Sequence, residues 1–173
     1  MNATPVFGIT GWKNSGKTGL VTRLVAEFTR RGFRVSTVKH AHHDFDIDRP
    51  GADSYRHREA GAHEVALVSG RRWALMHELR GDEEPPLDAI LSRIASCDLI
   101  LIEGYKREAH PKIETRRSAS GDREPLSVSD PNIVAIAADH GLPDEKLPVF
   151  HLDDVGQIAD FIQARLELER PAP

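Results

Sequence analysis

The chain of 173 residues has a single cysteine, no long apolar segment and no excess of basic residues. Because Cys97 has no second cysteine to pair with, an intrachain disulfide and a cysteine-rich zinc site are excluded. No apolar run approaches the roughly 20 residues that cross a bilayer, so the sequence predicts no membrane association. The formal net charge of −4 argues against the broad basic surface of a nucleic-acid-binding protein.

The ends and the length of the chain predict its organisation. Residues 1–5 lack the basic start, apolar stretch and cleavage site of a secretory signal, and we therefore expect a cytoplasmic protein. The sequence has no internal repeat, low-complexity tract or long linker. We expect one domain over residues 1–173 with a flexible tail at residues 169–173.

The amino-terminal pattern predicts a parallel α/β fold. Val6–Thr10 is typical of a short buried strand, and apolar residues then recur at helical spacing from Gly16 to Arg31. Residues 34–39 alternate as a second strand. Strand, glycine-containing loop, helix and strand is the order of a parallel βαβ unit.

Later segments extend this prediction. Residues 64–69 and 72–79 predict a β-hairpin, and four consecutive aliphatic residues at 99–102 predict a central strand that is covered on both faces. Further helices are predicted near residues 53–60, 87–94 and 155–166, and further strands at 112–116 and 133–137. The predicted fold is therefore a mostly parallel sheet flanked by helices, with an additional β-hairpin.

Residues 11–18, Gly-Trp-Lys-Asn-Ser-Gly-Lys-Thr, match the phosphate-binding loop pattern G-x-x-x-x-G-K-[ST] at every fixed position. The glycines allow backbone N–H groups to point inward, and the following helix presents further N–H groups to phosphate. Lys17 is predicted to neutralise the β- and γ-phosphates, and Thr18 to ligate Mg²⁺. Because the loop lies between a strand and a helix, it predicts a P-loop NTPase-like fold that binds a purine nucleoside triphosphate. The structural alternative is that the glycine-rich segment only caps the helix.

Two carboxylates bracket the predicted central strand. Asp98 precedes Glu103 by five residues, or about 17 Å at the rise of a strand. Ligands of open α/β sheets bind beyond the carboxyl ends of the strands. Glu103 is therefore the predicted second Mg²⁺ ligand, and Asp98 is predicted to cap the opposite edge.

Residues 39–51, after the second strand, are dense in histidine and aspartate. Lys39 or His40 is predicted to approach the phosphates or a bound substrate, and Asp44 or Asp46 to supply a further Mg²⁺ ligand. Two alternatives stay open: a solvated polar loop, and a transition-metal site formed by His40, His42 and His43.

These patterns define the predicted site. Lys17 and Asp44 are the predicted catalytic residues, and Thr18, Glu103 and Asp46 the predicted metal ligands. For Lys13, contact with phosphate and an exposed loop position both stay open. The predicted nucleotide-binding residues are Gly11, Trp12, Lys13, Asn14, Ser15, Gly16, Lys17, Thr18, Gly19, Lys39 and His40.

Several segments, in order, resemble the molybdopterin-guanine dinucleotide biosynthesis protein B (MobB) family over roughly residues 6–140. They are Val38-Lys39-His40-Ala41-His42-His43-Asp44 with the residues to Tyr55, Ala60-Gly61-Ala62, Arg72-Trp73-Ala74-Leu75-Met76, and residues 98–106. The resemblance implies a GTP-binding protein, at most a slow GTPase, that forms a homodimer. It also implies that the protein assists a partner guanylyltransferase in converting molybdopterin to molybdopterin guanine dinucleotide.

The same resemblance makes Asp139 a predicted acceptor for the guanine N–H groups. The chain has no N-K-x-D motif, so the preference for guanine over adenine rests on the resemblance alone. Lys13 is also not second in its loop, where related P-loop proteins carry a signature lysine. Two other functions stay open: an ATP-dependent small-molecule kinase or ligase, and a GTP-dependent metal chaperone using residues 40–48.

Overall fold

The computed structural model describes residues 4–41, 45–121 and 123–169. The chain forms two compact units, one from the residues up to 40 together with those from 94 onward, and one from residues 41–93. A single domain over the whole chain therefore stays a prediction. Among the described residues, no helix is long and apolar enough to span a bilayer.

The helices and strands follow the predicted order. The elements are β1 (Val6–Thr10), α1 (Lys17–Arg30), β2 (Val35–Lys39), α2 (Asp53–Glu59), β3 (Glu64–Val68), β4 (Trp73–His77), α3 (Leu87–Leu91), β5 (Leu99–Glu103), β6 (Lys112–Arg116), β7 (Ile133–Ala138), β8 (Val149–His151) and α4 (Val155–Arg165). Most bounds lie within two residues of those predicted. Helix α3 is shorter than expected, and the short strand β8 was not predicted.

The first unit contains a six-stranded parallel sheet in the order β2-β5-β1-β6-β7-β8. All five residues of β5 are buried, which confirms the prediction of a central strand. In the register of the sheet, Glu103 is the partner of both Ile9 on β1 and Lys39 on β2. The carboxyl ends of these three strands therefore meet at one edge of the sheet.

Helices α1 and α4 pack on one face of this sheet. Leu20, Leu24 and Phe28 of α1 are fully buried in one cluster with Phe7 and Ile9 of β1. Burying a side chain of this size stabilises the fold by about 1.5–3 kcal/mol. This packing fixes the start of α1 beside the end of β1, where the loop at residues 11–18 lies.

The other face of β6 carries buried polar side chains, because residues alternate between the faces of a strand. Lys112 is fully buried, and its Nζ donates to the Glu108 carbonyl and to Asp130 Oδ2, both at 2.6 Å. The Glu114 carboxylate accepts hydrogen bonds from the backbone N–H groups of Leu126 and Ser127 at 2.9 and 3.1 Å. Each of these buried charges is therefore satisfied by hydrogen bonds.

The second unit contains α2 and the antiparallel hairpin β3-β4, in which Val68 pairs with Trp73. The predicted hairpin with its turn at Gly70-Arg71 is thereby confirmed. Arg58 of α2 donates to Asp46 at 2.6 Å and to Glu78 at 3.0 Å, and it also pairs with Asp48. This ion-pair cluster ties α2 to the segment that precedes it.

Candidate functional site

The loop at residues 11–18 adopts a backbone that requires glycine at two positions. Gly11 has φ 145° and Gly16 has φ 98°, and Asn14 has φ 66° in the left-handed region. A Cβ atom at Gly11 would lie 2.5 Å from Ser15 Oγ and 2.7 Å from the Thr115 carbonyl oxygen. The two glycines predicted to shape the loop thus occupy positions where other residues are strained.

A chain of hydroxyl groups fixes the loop to β6. Thr115 Oγ1 donates to the Thr10 carbonyl at 3.1 Å. Its only proton is used there, so the 2.7 Å contact between Ser15 Oγ and Thr115 Oγ1 has Ser15 as donor. Ser15 is 1% exposed. These hydrogen bonds therefore hold the loop in its curled form.

Lys17, at the start of α1, folds back across the loop. Its Nζ donates to the carbonyl oxygens of Gly11 at 3.0 Å and Trp12 at 2.7 Å. Burial lowers the pKa of Lys17 from its ordinary value, and the nearby charge of Lys106 lowers it further. A bound phosphate would reverse this shift, because an anion favours the charged ammonium.

Thr18 and Glu103 meet at the edge of the sheet. Thr18 Oγ1 donates to Glu103 Oε1 at 2.7 Å, and the Glu103 side chain is 10% exposed. Lys39 Nζ lies 3.2 Å from the same oxygen. Adjacent ligands of an octahedral Mg²⁺ at 2.0–2.1 Å are separated by about 2.9 Å, so the Thr18 and Glu103 oxygens suit a shared ion.

The remaining predicted residues near the loop differ in exposure. Lys13, Asn14 and Gly19 are exposed. The His40 backbone N–H donates to the Glu103 carbonyl at 2.9 Å, and its ring lies 4.7 Å from that of Tyr105 between centroids. The structure thus brings Lys17, Thr18, Lys39, His40 and Glu103 together.

Asp98 lies at the opposite edge of the sheet, as predicted. Its Oδ2 accepts the Arg34 backbone N–H at 2.6 Å, just before β2 begins. This hydrogen bond lowers the pKa of Asp98 from its ordinary value. The Asp98 carboxylate therefore joins the starts of β2 and β5, which confirms its predicted capping role.

Asp139 and the carboxylates of the histidine-rich segment are placed differently. Asp139 Oδ1 accepts from His140 Nδ1 and from the Ser118 backbone N–H, both at 2.8 Å. These two hydrogen bonds lower the pKa of Asp139 from its ordinary value. Asp46 lies in the second unit, where it pairs with Arg58.

The possible transition-metal site depends on three histidines. His42, His43 and the predicted catalytic residue Asp44 lie outside the described residues. Within the described part of the chain, no three His, Cys, Asp or Glu side chains are arranged as a metal site. The transition-metal alternative therefore gains no support from residues 4–41, 45–121 and 123–169.

Two cations that the sequence did not predict flank the loop residue Trp12. Lys106 Nζ lies 4.3 Å from the centre of the Trp12 ring, and the Arg123 guanidinium lies 5.3 Å from it. The indole N–H donates to the Glu124 carbonyl at 3.0 Å. Neither Lys106 nor Arg123 lies at a fixed distance along the sequence from the glycine-rich motif. Only the fold brings these two side chains to Trp12.

A cleft of about 400 Å³ opens beside the loop, between the ends of β6 and β7. Its walls include Trp12 and Ser15 of the loop together with Arg116, Arg117, Arg123 and His140. The guanidinium of Arg117 lies close to Gly16, since a Cβ there would be 2.8 Å from Arg117 Nε. Arg117 and Arg123 thus add positive charge to that of Lys17, whereas Arg116 is paired with Glu114 and Glu145.

Comparison with known proteins agrees with this architecture. The chain is 39% identical over 160 residues to the molybdopterin-guanine dinucleotide biosynthesis adapter protein of Escherichia coli, with 91% of each chain covered. It is 37% identical to the protein of the same description from Haemophilus influenzae, covering 94% of this chain and 89% of that one. The crystal structure of a MobB protein homolog from Bacillus stearothermophilus matches with a TM-score of 0.70 at 30% identity, covering 95% and 99% of the two chains.

The family model for molybdopterin guanine dinucleotide synthesis protein B matches residues 6–139. This range contains the loop at residues 11–18, Lys39, Glu103 and Asp139. It also agrees with the range of the resemblance seen in the sequence, roughly residues 6–140. The chain belongs to the MobB family.

Proposed function

We propose that the chain binds GTP with Mg²⁺ in the loop at residues 11–18 and acts as an adapter in molybdenum cofactor biosynthesis. In this role it assists a partner guanylyltransferase in converting molybdopterin to molybdopterin guanine dinucleotide. The relatives described as adapter proteins support the pathway. The observation that carries the nucleotide site is the 2.7 Å pair of Thr18 and Glu103 beside a glycine-shaped loop.

Each residue of the site has a distinct part in binding. Backbone N–H groups around Ser15 and Gly16, at the start of α1, hold the phosphates. Lys17 exchanges its two carbonyl acceptors for phosphate oxygens, which are stronger acceptors. Thr18 and Glu103 hold Mg²⁺, and the bound ion neutralises charge on the phosphates.

Lys39 forms the outer wall of the site. It contacts the Glu103 carboxylate at 3.2 Å, and a second lysine there offsets phosphate charge once Mg²⁺ engages the carboxylate. We assign no arginine finger or water-positioning glutamine among the described residues, and the proposed GTP hydrolysis is accordingly slow.

The base and ribose extend into the cleft beside Trp12. Arg117 at its wall and Asp139 at the end of β7 lie on this side of the loop. We assign the preference for guanine to Asp139. Its carboxylate gives up the hydrogen bond from His140 or Ser118 and accepts hydrogen bonds from the N–H groups of the base instead. Asp44 and Asp46 stay proposed as further Mg²⁺ ligands, and a homodimer in the cytoplasm is the proposed working form.

Calorimetric titration with GTP and with ATP, each with and without Mg²⁺, tests the nucleotide assignment. We expect GTP to bind more tightly than ATP, and Mg²⁺ to raise the affinity for GTP. Lys17→Ala and Thr18→Ala should both weaken binding of GTP with Mg²⁺, whereas Lys146→Ala should not, because Lys146 is exposed and does not line the cleft. Equal affinity in the wild-type protein and both loop variants would refute the assignment.

A steady-state assay separates an adapter from an enzyme. The protein is incubated alone with GTP or ATP and candidate small-molecule acceptors, and product is measured over time. The adapter role predicts hydrolysis far below one turnover per second and no transfer to an acceptor. Several turnovers per second without a partner protein would instead establish a kinase or ligase.

A further inference from the structure

A second cavity of about 330 Å³ lies next to the last residue of β1, outside the phosphate-binding loop. Ligand sites typically have volumes of roughly 300–1,000 Å³. The cavity therefore has room for a small organic molecule. Its lining residues are Thr10, Lys106, Arg107, Leu126, Ser129, Asp130 and Ile133.

The Thr10 hydroxyl is the polar group that points to a ligand. Thr10 is 1% exposed, and among the described residues its Oγ1 has no hydrogen-bond partner. A buried hydroxyl without a partner is destabilising, so native structures rarely retain one without a use. Because Thr10 alternates with the core residue Ile9 along β1, its side chain faces away from α1 and α4.

The charges around the cavity favour an anion. Lys106 and Arg107 both line it. The one carboxylate, Asp130, is already paired with the buried Lys112 at 2.6 Å. Although burial raises the pKa of Asp130, hydrogen bonds from Lys112 and Asn132 outweigh it and hold that pKa below its ordinary value. The cavity thus has an excess of positive charge.

An apolar wall gives the cavity room for more than an inorganic ion. Ile133 is 3% exposed and packs with the partly buried Leu126. These side chains suit the apolar body of an organic ligand, such as an aromatic ring. We propose that the cavity binds a small phosphate monoester with an aromatic body, separately from the nucleotide site.

Two contacts join this cavity to the phosphate-binding loop. Lys106 lines the cavity and also lies 4.3 Å from the Trp12 ring. Thr10 precedes Gly11, and its carbonyl belongs to the hydroxyl chain of Ser15 and Thr115. A dianion bound at Lys106 therefore alters the electrostatics of the loop, and any such coupling is reciprocal.

The site itself does not rest on the proposed function. A phosphorylated pterin belongs to the same ligand class, and only that assignment depends on the proposed role in cofactor synthesis. Failure of GTP to bind would leave the phosphate monoester site standing. Conversely, a cavity that takes no phosphate monoester would leave GTP binding intact.

Titration of the full chain with phenyl phosphate, followed by calorimetry and amide chemical shifts, tests the inference. The expected shifts centre on Thr10, Lys106 and Ser129, and Lys17→Ala should change the affinity by less than about twofold. Thr10→Val and Lys106→Met should each weaken binding about tenfold, the loss of roughly one hydrogen bond to a charged group. Lys146→Ala is the matched control and should bind normally.

Thr10→Val also separates a ligand-binding hydroxyl from a structural one. The change removes an unpaired buried oxygen but keeps the β-branched shape, so the melting temperature of the free protein should rise by about 2–4 °C. Binding unchanged in Thr10→Val and Lys106→Met, or binding abolished by Lys17→Ala, would overturn the inference. Inorganic phosphate that binds as tightly as phenyl phosphate would overturn the assignment of an aromatic body.

Discussion

Replacement of Gly11 by alanine tests whether the curled loop is a built feature of the fold. Gly11 has φ 145°, a conformation almost restricted to glycine. Its added Cβ would lie 2.6 Å from Thr115 Oγ1 and 2.7 Å from the Thr115 carbonyl oxygen. A side chain could rotate away from this contact, but the carbonyl belongs to β6 and moves only with the sheet.

The expected cost has two parts. Forcing alanine into this backbone region costs about 1–3 kcal/mol, and relieving the steric overlap costs about 1–3 kcal/mol more. The sum, about 2–6 kcal/mol, is a large part of the 5–15 kcal/mol that stabilises a typical domain. The contact of Ser15 with Thr115 should be disrupted as well, because the Cβ would lie 2.5 Å from Ser15 Oγ.

Urea unfolding followed by circular dichroism measures this loss, with Gly19→Ala as the matched control. Gly19 lies in the first turn of α1, and a Cβ there has no neighbour within 4 Å. Alanine should therefore stabilise the protein by about 0.5–1 kcal/mol at Gly19. Calorimetry should show GTP binding weakened at least about tenfold by Gly11→Ala. A Gly11→Ala protein as stable as Gly19→Ala, with normal GTP affinity, would show that the loop does not require glycine at position 11.

Three further predictions concern Glu103, His110 and Lys112. In Glu103→Gln, Mg²⁺ should no longer change the GTP affinity measured by calorimetry, and GTP binding without Mg²⁺ should be unchanged. If Mg²⁺ changes the GTP affinity of this variant as much as it does in the wild-type protein, the metal assignment is contradicted. Burial, and secondarily the charge of Lys112, lowers the pKa of His110 to about 4 from 6.5. As the pH falls, the unfolded chain therefore takes up a proton on His110 before the folded chain does. Stability that is present above pH 6.5 should then decline by about 2 kcal/mol towards pH 4, a figure that allows for the partial exposure of His110. His110→Gln should flatten this dependence in urea unfolding at pH 7 and pH 5; an identical slope would contradict it. Lys112→Met leaves Asp130 without its buried partner and should lower the free energy of unfolding by about 3–5 kcal/mol. The double variant Lys112→Met/Asp130→Asn should recover most of this loss. No recovery would argue against the broken ion pair as its cause.

Much of the fold could be predicted from the sequence because its elements have strong local patterns. The stripe of Leu20, Leu24 and Phe28 predicts α1, and the aliphatic run 99–102 predicts β5. Strand β8 has only three residues, Val149–His151, and no alternating pattern long enough to identify it. Its position depends on pairing with β7 rather than on local preference.

The residues of the candidate site also divide into those that the sequence predicts and those that it does not. Gly11, Lys17 and Thr18 follow from a motif with fixed spacing, and Glu103 follows from the length of one strand. The roles of Lys106 and Arg123 could not be predicted, since both reach Trp12 only through loops that the sheet brings together. The sequence also could not predict that the Thr10 hydroxyl has no hydrogen-bond partner among the described residues. Any strand can end in threonine, and only the packing around it decides whether its hydroxyl is paired.

A crystal structure of the chain with Mg²⁺ and a non-hydrolysable GTP analogue shows directly whether the loop at residues 11–18 binds the nucleotide. We expect the β- and γ-phosphates among the backbone N–H groups of Ser15 and Gly16, with Mg²⁺ held by Thr18 and Glu103. Lys17 Nζ should have left the carbonyl oxygens of Gly11 and Trp12 for the phosphates. A ligand bound elsewhere, with Lys17 still on those carbonyls and Thr18 still donating to Glu103, would contradict this expectation.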